Sequence, residues 1–311
     1  MATHREIPRR PLGQTGEMVS ALGMGGFHLG MVGTEREAIS LVHQAIDAGI
    51  RFMDNAWEYH DGKSEIRMGK ALDKGWREKV FLMTKVCTHG RDAKVAMRQL
   101  EESLRRLKTD HLDLWQVHEV AYEGDPARHF AKGGVIEALE KAKQKGMVRF
   151  VGFTGHKDPS LHLEMLSHGY PFDTCQMPLN VFDASFRSFE QQVLPELARQ
   201  GIAAIGMKSM CGEGVPIKKR AVAATDALRY AMSLPVAVTV SGIDSAKVLR
   251  QNVGVARGFV PLSVTAMERL RKQAAPHSVD GRFELYKTSA KHEADVGRKQ
   301  HGFPLQAEMA G

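Results

Sequence analysis

The chain repeats one unit eight times: a short apolar run, then a segment with apolar residues at helical spacing. The runs are "ALGMGGF" (Ala21 to Phe27), "RFMDNA" from Arg51, "VFLMTKV" (Val80 to Val86), "LDLWQVH" (Leu112 to His118), "VRFVGFTG", "TCQMPLN", "IAAIGMKS" and "VAVTVSGI". They are continuously apolar, not alternating, as parallel strands covered by helices should be. Helical stretches separate them, such as "TEREAISLVHQAIDAGI", in which Thr34 is placed as N-cap with Glu37 three residues on, and Gly49 marks the end. Asp54 and Lys85 lie 31 positions apart, and Lys85 and His118 lie 33 apart. That is one βα unit of about 30 residues. Eight such units suit a closed (β/α)8 TIM barrel, which typically takes about 250 residues. An open doubly wound α/β sheet is the rival. It would want G-x-G-x-x-G after its first strand, and "GMGGFHLG" precedes a loop too long for that turn.

Two pieces stand outside the repeat. "RRPLGQTGEMVSALG" reads as a β-hairpin turning at Gly13 to Gly16 and capping the barrel bottom. At the other end, a helix at about Ser263 to Ala275 leads into a polar C-terminal extension, Pro276 to Gly311, with Phe283, Leu285, Tyr286 and Phe303 scattered through it. These aromatics favour a docked lid over a disordered tail. The 311 residues are read as a single domain, with the barrel over about 20–260 and the helix and tail over about 261–311.

The formal charge of +7 is spread among interleaved acids, with no basic run. This sets nucleic acid aside as a partner and suits an anionic cofactor. Cys87, Cys175 and Cys211 are far apart and form no CxxC, so neither a disulfide framework nor a thiolate cluster is indicated. The histidines form no HExxH, and no metal is expected. No segment approaches the ~18 apolar residues of a membrane span, and the N-terminus lacks an apolar core, so a soluble cytoplasmic protein is expected. Oligomeric state is not legible.

In a parallel barrel all strand ends open on one face, where residues distant in sequence meet. Three successive strands end on ionisable groups here, Asp54, Lys85 and His118, and Tyr59 follows five residues after Asp54. A phenol, with a pKa near 10, is a reluctant acid at neutral pH unless a cation stabilises its anion. Lys85 would supply that cation and Asp54 would hold it, leaving Tyr59 as a proton donor. His118 would orient a substrate carbonyl oxygen and share its developing charge. The chemistry served is reduction of C=O, and since no side chain carries hydride, a nicotinamide cofactor is needed.

The combination of Asp-x-x-x-x-Tyr after strand two, a lysine on strand three and a histidine on strand four resembles the aldo-keto reductases. The resemblance runs from "LGQTGEMVSALGMGG" through "FMDNAWEYHDGKSE", "FLMTKV", "SLRRLKTDHLDLWQVHE", "EALEKAKQKGMVRFVGFTGH" and "QMPLN" to "VSGIDSAKVLRQN". It implies Asp54, Tyr59, Lys85 and His118 as the catalytic tetrad, with Tyr59 the general acid, on the same barrel that the repeat indicates. It also implies Thr154 and Gln176 at the nicotinamide carboxamide, with Gly155 where relatives carry asparagine and His156 following. Met207 takes the place of a stacking tyrosine, and with Lys208 makes the Met-Lys pair of a bacterial subset. Ser241, Gly242 and Ile243 lead into the helix that binds phosphate, and Gln251 and Asn252 occupy adenine positions. Gly242 and Val248 stand where many members have basic residues for a 2′-phosphate; Lys247 or Arg250 are the substitutes, and Lys208 is a further phosphate contact. NADPH is therefore the implied cofactor, with NADH open.

Phe27, His28 and Trp57 are the candidate substrate walls, with Val120, Tyr122 and the tail aromatics beyond them. Trp57, between Asp54 and Tyr59, is read as a flat surface beside the proton donor that favours apolar or aromatic carbonyls. Two other classes of function compete with reduction of a small carbonyl substrate. One is a redox-silent barrel enzyme forming a Schiff base on Lys85. The other is a nucleotide-binding regulatory subunit.

Overall fold

The structure is a computed structural model and describes residues 6–87, 92–293 and 295–309. Strands β1 (Arg9–Pro11) and β2 (Met18–Ser20) pair antiparallel as the expected hairpin. Eight parallel strands close the barrel in chain order: β3 (Leu22–Gly25), β4 (Phe52–Asp54), β5 (Phe81–Val86), β6 (Leu112–Val117), β7 (Val148–Thr154), β8 (Thr174–Pro178), β9 (Ala203–Met207) and β10 (Val238–Gly242). Strand β10 pairs with β3, Gly242 opposite Gly25, which completes the circle. The (β/α)8 fold with its N-terminal hairpin is thus as the repeat predicts.

The helices before the midpoint are α1 (Gly26–Met31), α2 (Glu35–Asp47), α3 (Lys63–Ala71), α4 (Ala93–Leu107), α5 (Asp125–Phe130) and α6 (Val135–Gln144). Those after it are α7 (Pro159–Ser167), α8 (Phe189–Gln200), α9 (Val215–Lys218), α10 (Ala224–Ser233), α11 (Ala246–Ala256), α12 (Val264–Ala274), α13 (Leu285–Thr288) and α14 (Asp295–His301). Thr34 and Glu37 form the predicted capping box on α2. Several short helices, α1, α5, α9, α13 and α14, are new relative to the sequence reading, and α1 bears most on the site. The first barrel strand stops at Gly25, not Phe27, and the chain turns at once into α1, so Phe27 and His28 are helical. Close packing requires glycine there: a Cβ on Gly26 would lie 2.6 Å from the Asp54 carbonyl oxygen, and one on Gly30 would lie 2.1 Å from the His60 ring.

Side chains at alternate strand positions point to the same face, and this parity sorts the barrel interior. Its lower part is apolar: Phe52, Phe81, Met83, Leu114, Ile205, Val238 and Val240 form one cluster, with Phe150 against it. Leu12 and Val19 of the hairpin join that cluster and close the bottom. Stepping two residues from Phe52 reaches Asp54, from Met83 Lys85, and from Leu114 Gln116, all buried. The barrel is therefore greasy below and polar at its mouth. A second, larger apolar cluster fills the space between the sheet and the helices.

The C-terminal extension is docked onto the barrel. Lys287 is buried and donates to Asp183 (2.7 Å), Glu284 (3.0 Å) and the Phe186 carbonyl (2.8 Å). Phe283 packs edge-on against Phe182, while Lys157 pairs with Glu293 at 2.6 Å. His301 lies 2.9 Å from Asp125 and packs on Tyr122, which also packs on Phe303. No helix among the described residues is long and apolar enough to cross a membrane.

Candidate active site

Strain concentrates at the C-terminal rim of the barrel. Immediately after Tyr59, His60 (φ 53°), Asp61 (φ 54°) and Gly62 (φ 82°) all adopt left-handed backbone, and Glu119 and Lys208 do so after β6 and β9. Each such non-glycine residue costs about 1–2 kcal/mol, so the loop must be tied down, and it is. Trp57 N donates to the Lys85 carbonyl (3.1 Å), Ser64 Oγ to the Gly26 carbonyl (2.6 Å), and His60 Nε2 lies 2.9 Å from the Phe27 carbonyl. Buried Glu65 on α3 accepts from Thr84 Oγ1 (2.7 Å) and Arg106 (3.2 Å), and Arg106 also donates to the Trp57 carbonyl (2.8 Å).

These ties bring the four tetrad candidates together. Lys85, only 1% exposed, makes a very short hydrogen bond to Asp54, donates to the Asn55 carbonyl at 2.7 Å, and reaches the Tyr59 hydroxyl at 3.5 Å. The Tyr59 ring meets His118 edge-on at 5.7 Å and Phe27 edge-on at 5.4 Å. His118 stands one residue beyond the end of β6, with Nδ1 2.7 Å from Glu58 Oε1. The Tyr59 phenol is held in its protonated form. Burial first, and then the charges of Asp54, Glu58 and Glu119, push its pKa well above the ordinary tyrosine value. Lys85 has spent its closest contacts on Asp54 and Asn55, and three carboxylates outweigh it.

Trp57 is not the wall the sequence suggested. Its indole N–H donates to Glu102 of α4 at 2.8 Å, and the Arg106 guanidinium lies 5.4 Å over its ring. The side chain therefore anchors the loop to α4; the rings that meet Tyr59 are Phe27 and His118. His28 is also relocated. Its imidazole lies against Gly242, where a Cβ would come within 2.3 Å of the ring, and it feels the charges of Asp244 and Lys208. It thus borders the end of β10 on the proposed phosphate side. Phe27, 48% exposed beside Tyr59, keeps a position from which it can wall a pocket.

The proposed cofactor positions fall into two groups. Thr154 ends β7 and pairs in register with Gln176 in the middle of β8, and Thr154 Oγ1 and Gln176 Oε1 are buried with no hydrogen-bond partner among the described residues. Buried polar atoms are normally paired, so these two suit a ligand that supplies an amide. Gln176 Nε2 also reaches Asp54 at 3.5 Å. Gly155 cannot be other than small, because a Cβ there would be 2.4 Å from the Val120 carbonyl oxygen. His156 does not stand in for the absent asparagine: Nε2 pairs with Glu119 at 3.0 Å and Nδ1 faces the Tyr286 carbonyl at 3.4 Å. Met207 is partly exposed at the end of β9, and Lys208 lies 5.1 Å over the Tyr286 ring. At the start of α11, Ser245 caps the helix, and Asn252 Nδ2 donates to Ser241 at 3.0 Å, leaving Asn252 Oδ1 buried with no hydrogen-bond partner among the described residues. Lys247, Arg250 and Gln251 are exposed on the same helix.

Glu58 and Glu119 were missed from sequence. The signal for Glu58 was its place between Asp54 and Tyr59, in a loop where a carboxylate must face either solvent or the site. Glu119 directly follows His118, at a left-handed position that turns its side chain toward His156.

Comparisons with known proteins bear on the fold and the family. An aldo-keto reductase of Bacillus subtilis, YhdN, is 29% identical over 214 residues, covering 64% of this chain and 61% of the relative. The methylglyoxal reductase YeaE of Escherichia coli is 35% identical over 130 residues, 42% of this chain and 43% of the relative. The chain thus matches less than two thirds of the length of these curated relatives. The aldo-keto reductase AKR11C1 from Bacillus halodurans, in its holo form, superposes with a TM-score of 0.72 at 24% identity, over 87% of this chain and 96% of that one. An aldo-keto reductase from Klebsiella pneumoniae in complex with NADPH gives 0.71 at 21% identity, over 87% and 95%. Likeness at these identities speaks for the fold alone. The Aldo/keto reductase family pattern matches residues 21–221, well over half of the 311-residue chain, and the chain therefore belongs to the aldo/keto reductase family.

Proposed function

We propose that this protein is an NAD(P)H-dependent reductase that converts aldehyde or ketone carbonyls to alcohols, with Tyr59 as proton donor. The observation that carries the reading is the Asp54–Lys85–Tyr59 chain of contacts at the rim, with His118 at the edge of the same phenol. When bound, a reduced nicotinamide supplies the hydride. Thr154 and Gln176 would hold its carboxamide, and Met207 would pack against its ring. Ser241, Gly242 and the N-terminus of α11 would take the phosphates, with Asn252 and Gln251 toward the adenine and Lys208, Lys247 or Arg250 available to a 2′-phosphate. NADPH is the expected carrier, as in the Klebsiella relative, and NADH is the alternative.

Within this reading the chain's own residues have distinct tasks. His118 meets the carbonyl oxygen and fixes its orientation. Tyr59 holds its proton until negative charge develops on that oxygen, then passes it across. The Lys85 ammonium, locked by Asp54, lies behind the phenol and stabilises the phenolate left after transfer. A Schiff-base role for Lys85 is disfavoured, since an ammonium donating to a buried carboxylate is not a nucleophile. Borohydride with a carbonyl substrate should therefore leave Lys85 unmodified.

The test follows oxidation of NADPH and NADH separately in the presence of methylglyoxal, aromatic aldehydes, ketones and quinones. Active combinations should lose about 10²–10⁴-fold in turnover on Tyr59→Phe. Undiminished turnover in that variant would refute the acid assignment. Tight binding of NADPH with no turnover of any carbonyl would favour the regulatory-subunit reading instead.

A further inference from the structure

The loop that delivers Tyr59 also brings Glu58 into the mouth of the barrel. The Glu58 side chain is 12% exposed, and its Oε1 lies 2.7 Å from Nδ1 of His118, itself 10% exposed. We propose that Glu58 is a positioning residue for carbonyl reduction: it holds the Nδ1 proton of His118, so that His118 meets the carbonyl oxygen through Nε2 as a doubly protonated imidazolium. This rests on the carbonyl-reductase reading above.

The reasoning is one of proton counting. A neutral imidazole carries one N–H, and its other nitrogen is an acceptor. If the proton is on Nδ1, facing Glu58, then Nε2 presents a lone pair to the carbonyl oxygen. If it is on Nε2, an unprotonated Nδ1 lies 2.7 Å from a carboxylate oxygen. Each neutral tautomer therefore sets two acceptors against one another; only the cation satisfies both contacts. A carboxylate on one nitrogen thus selects the charged ring when an oxygen ligand sits on the other.

Titratable and charged groups face the pair from several elements. From the loop after β4 come Glu58 and Tyr59, and from the end of β5 comes Cys87, whose thiol hydrogen-bonds Glu58. The loop after β6 carries Glu119, which is paired with His156 from the loop after β7. His118 and Lys208 both act on His156 through their charges. Lys85 lies beyond the phenol. Burial alone would raise the Glu58 carboxyl, but the His118 charge and hydrogen bond, aided by Cys87, hold it below the ordinary glutamate value despite the charge of Glu119. Glu58 is thus an anion at neutral pH, as the pairing requires.

The experiment uses the full chain and two independent readouts. Long-range ¹H–¹⁵N correlations report the protonation and tautomer of His118, assigned with His118→Gln, across pH 5–9 in the wild type, Glu58→Gln and Glu58→Asp. Glu58→Gln should lower the midpoint of the His118 titration by about one pH unit or more, a tenfold or greater loss of proton affinity, and Glu58→Asp should recover part of it. In kinetics with methylglyoxal or 4-nitrobenzaldehyde, the alkaline limb of kcat/KM that follows His118 should move to lower pH by the same amount in Glu58→Gln, with NADPH affinity, read by fluorescence quenching, unchanged. An identical His118 titration in wild type and Glu58→Gln overturns the pairing. A shifted titration with an unmoved pH profile overturns its use in the reaction. A shifted titration in a protein that reduces no carbonyl instead refutes the functional reading and leaves the pairing intact. Should Glu58→Gln not fold, Glu58→Asp decides alone: its shorter side chain leaves the carboxylate farther from Nδ1 and must shift the titration downward.

Discussion

Replacing Lys85 with methionine should cost several times the stability of a single hydrogen bond. Lys85 is 1% exposed and its ammonium is the donor to Asp54, to the Asn55 carbonyl and, at 3.5 Å, to Tyr59. Without it, the hydrogen bond described for the Asp54 carboxylate is the 3.5 Å contact from Gln176. A carboxylate stranded in this way costs about 3–5 kcal/mol, against about 1 kcal/mol for an ordinary hydrogen bond. Asp54→Asn should be milder, about 1.5–3 kcal/mol, since the amide oxygen still accepts from the ammonium. The double variant removes both charges and should be less destabilised than the sum of the singles by about 1–3 kcal/mol. Urea unfolding of the four proteins, followed by circular dichroism without cofactor, measures each quantity. Single variants that each lose under 1 kcal/mol and add without coupling would show that the pair is not desolvated, and the account of the site would fail with it.

Two further outcomes test the surroundings of the site. Trp57→Phe removes the indole hydrogen bond to Glu102 and should lower stability by about 1 kcal/mol while leaving KM for small aldehydes within twofold; a selective rise in KM for aromatic carbonyls would restore Trp57 as a substrate wall. His162 is buried between Phe153 and Phe189, and burial above all holds its pKa down to about 4. The unfolded chain takes up that proton near pH 6.5 and the folded chain only near pH 4, so this share of stability is whole above pH 6.5 and declines below it. The loss is about 2 kcal/mol between pH 7 and pH 5. His162→Phe should flatten that part of the pH profile of urea midpoints, and an unaltered slope would exclude His162 as its source.

The barrel was legible because two periods, the strand-to-strand spacing and the pleat, are written directly in the chain. They also explain why Asp54, Lys85 and His118 meet: each lies at or next to the end of a strand of the same parallel set, and strand ends share a face whatever lies between them. What escaped was set by contacts with no local signature. Helix α1 opens at Gly26 on an N-cap, Gly25, that makes no side-chain hydrogen bond; neither propensity nor capping announces it. The direction of Trp57 depends on Glu102 and Arg106, more than forty positions away. The likeness of the tail aromatics to a lid was visible in composition, but Lys287 is anchored by Asp183, which only the fold brings near.

The raised pKa of Tyr59 bears on how the proposed proton transfer works. A phenol whose pKa is raised by burial and by Asp54, Glu58 and Glu119 is fully protonated at any physiological pH. It is then a permanently loaded donor, and its weak acidity is no obstacle, because the oxygen it serves becomes an alkoxide, the anion of a still weaker acid. The phenolate left by that transfer is the same species that would accept a proton in the reverse reaction, and burial and three carboxylates oppose it in both. The Lys85 ammonium, already charged and held by Asp54 and the Asn55 carbonyl, lies 3.5 Å from the phenol oxygen and is the group that offsets them. On this reading the rim holds its protons ready for delivery, and Lys85 eases the transfer in both directions alike.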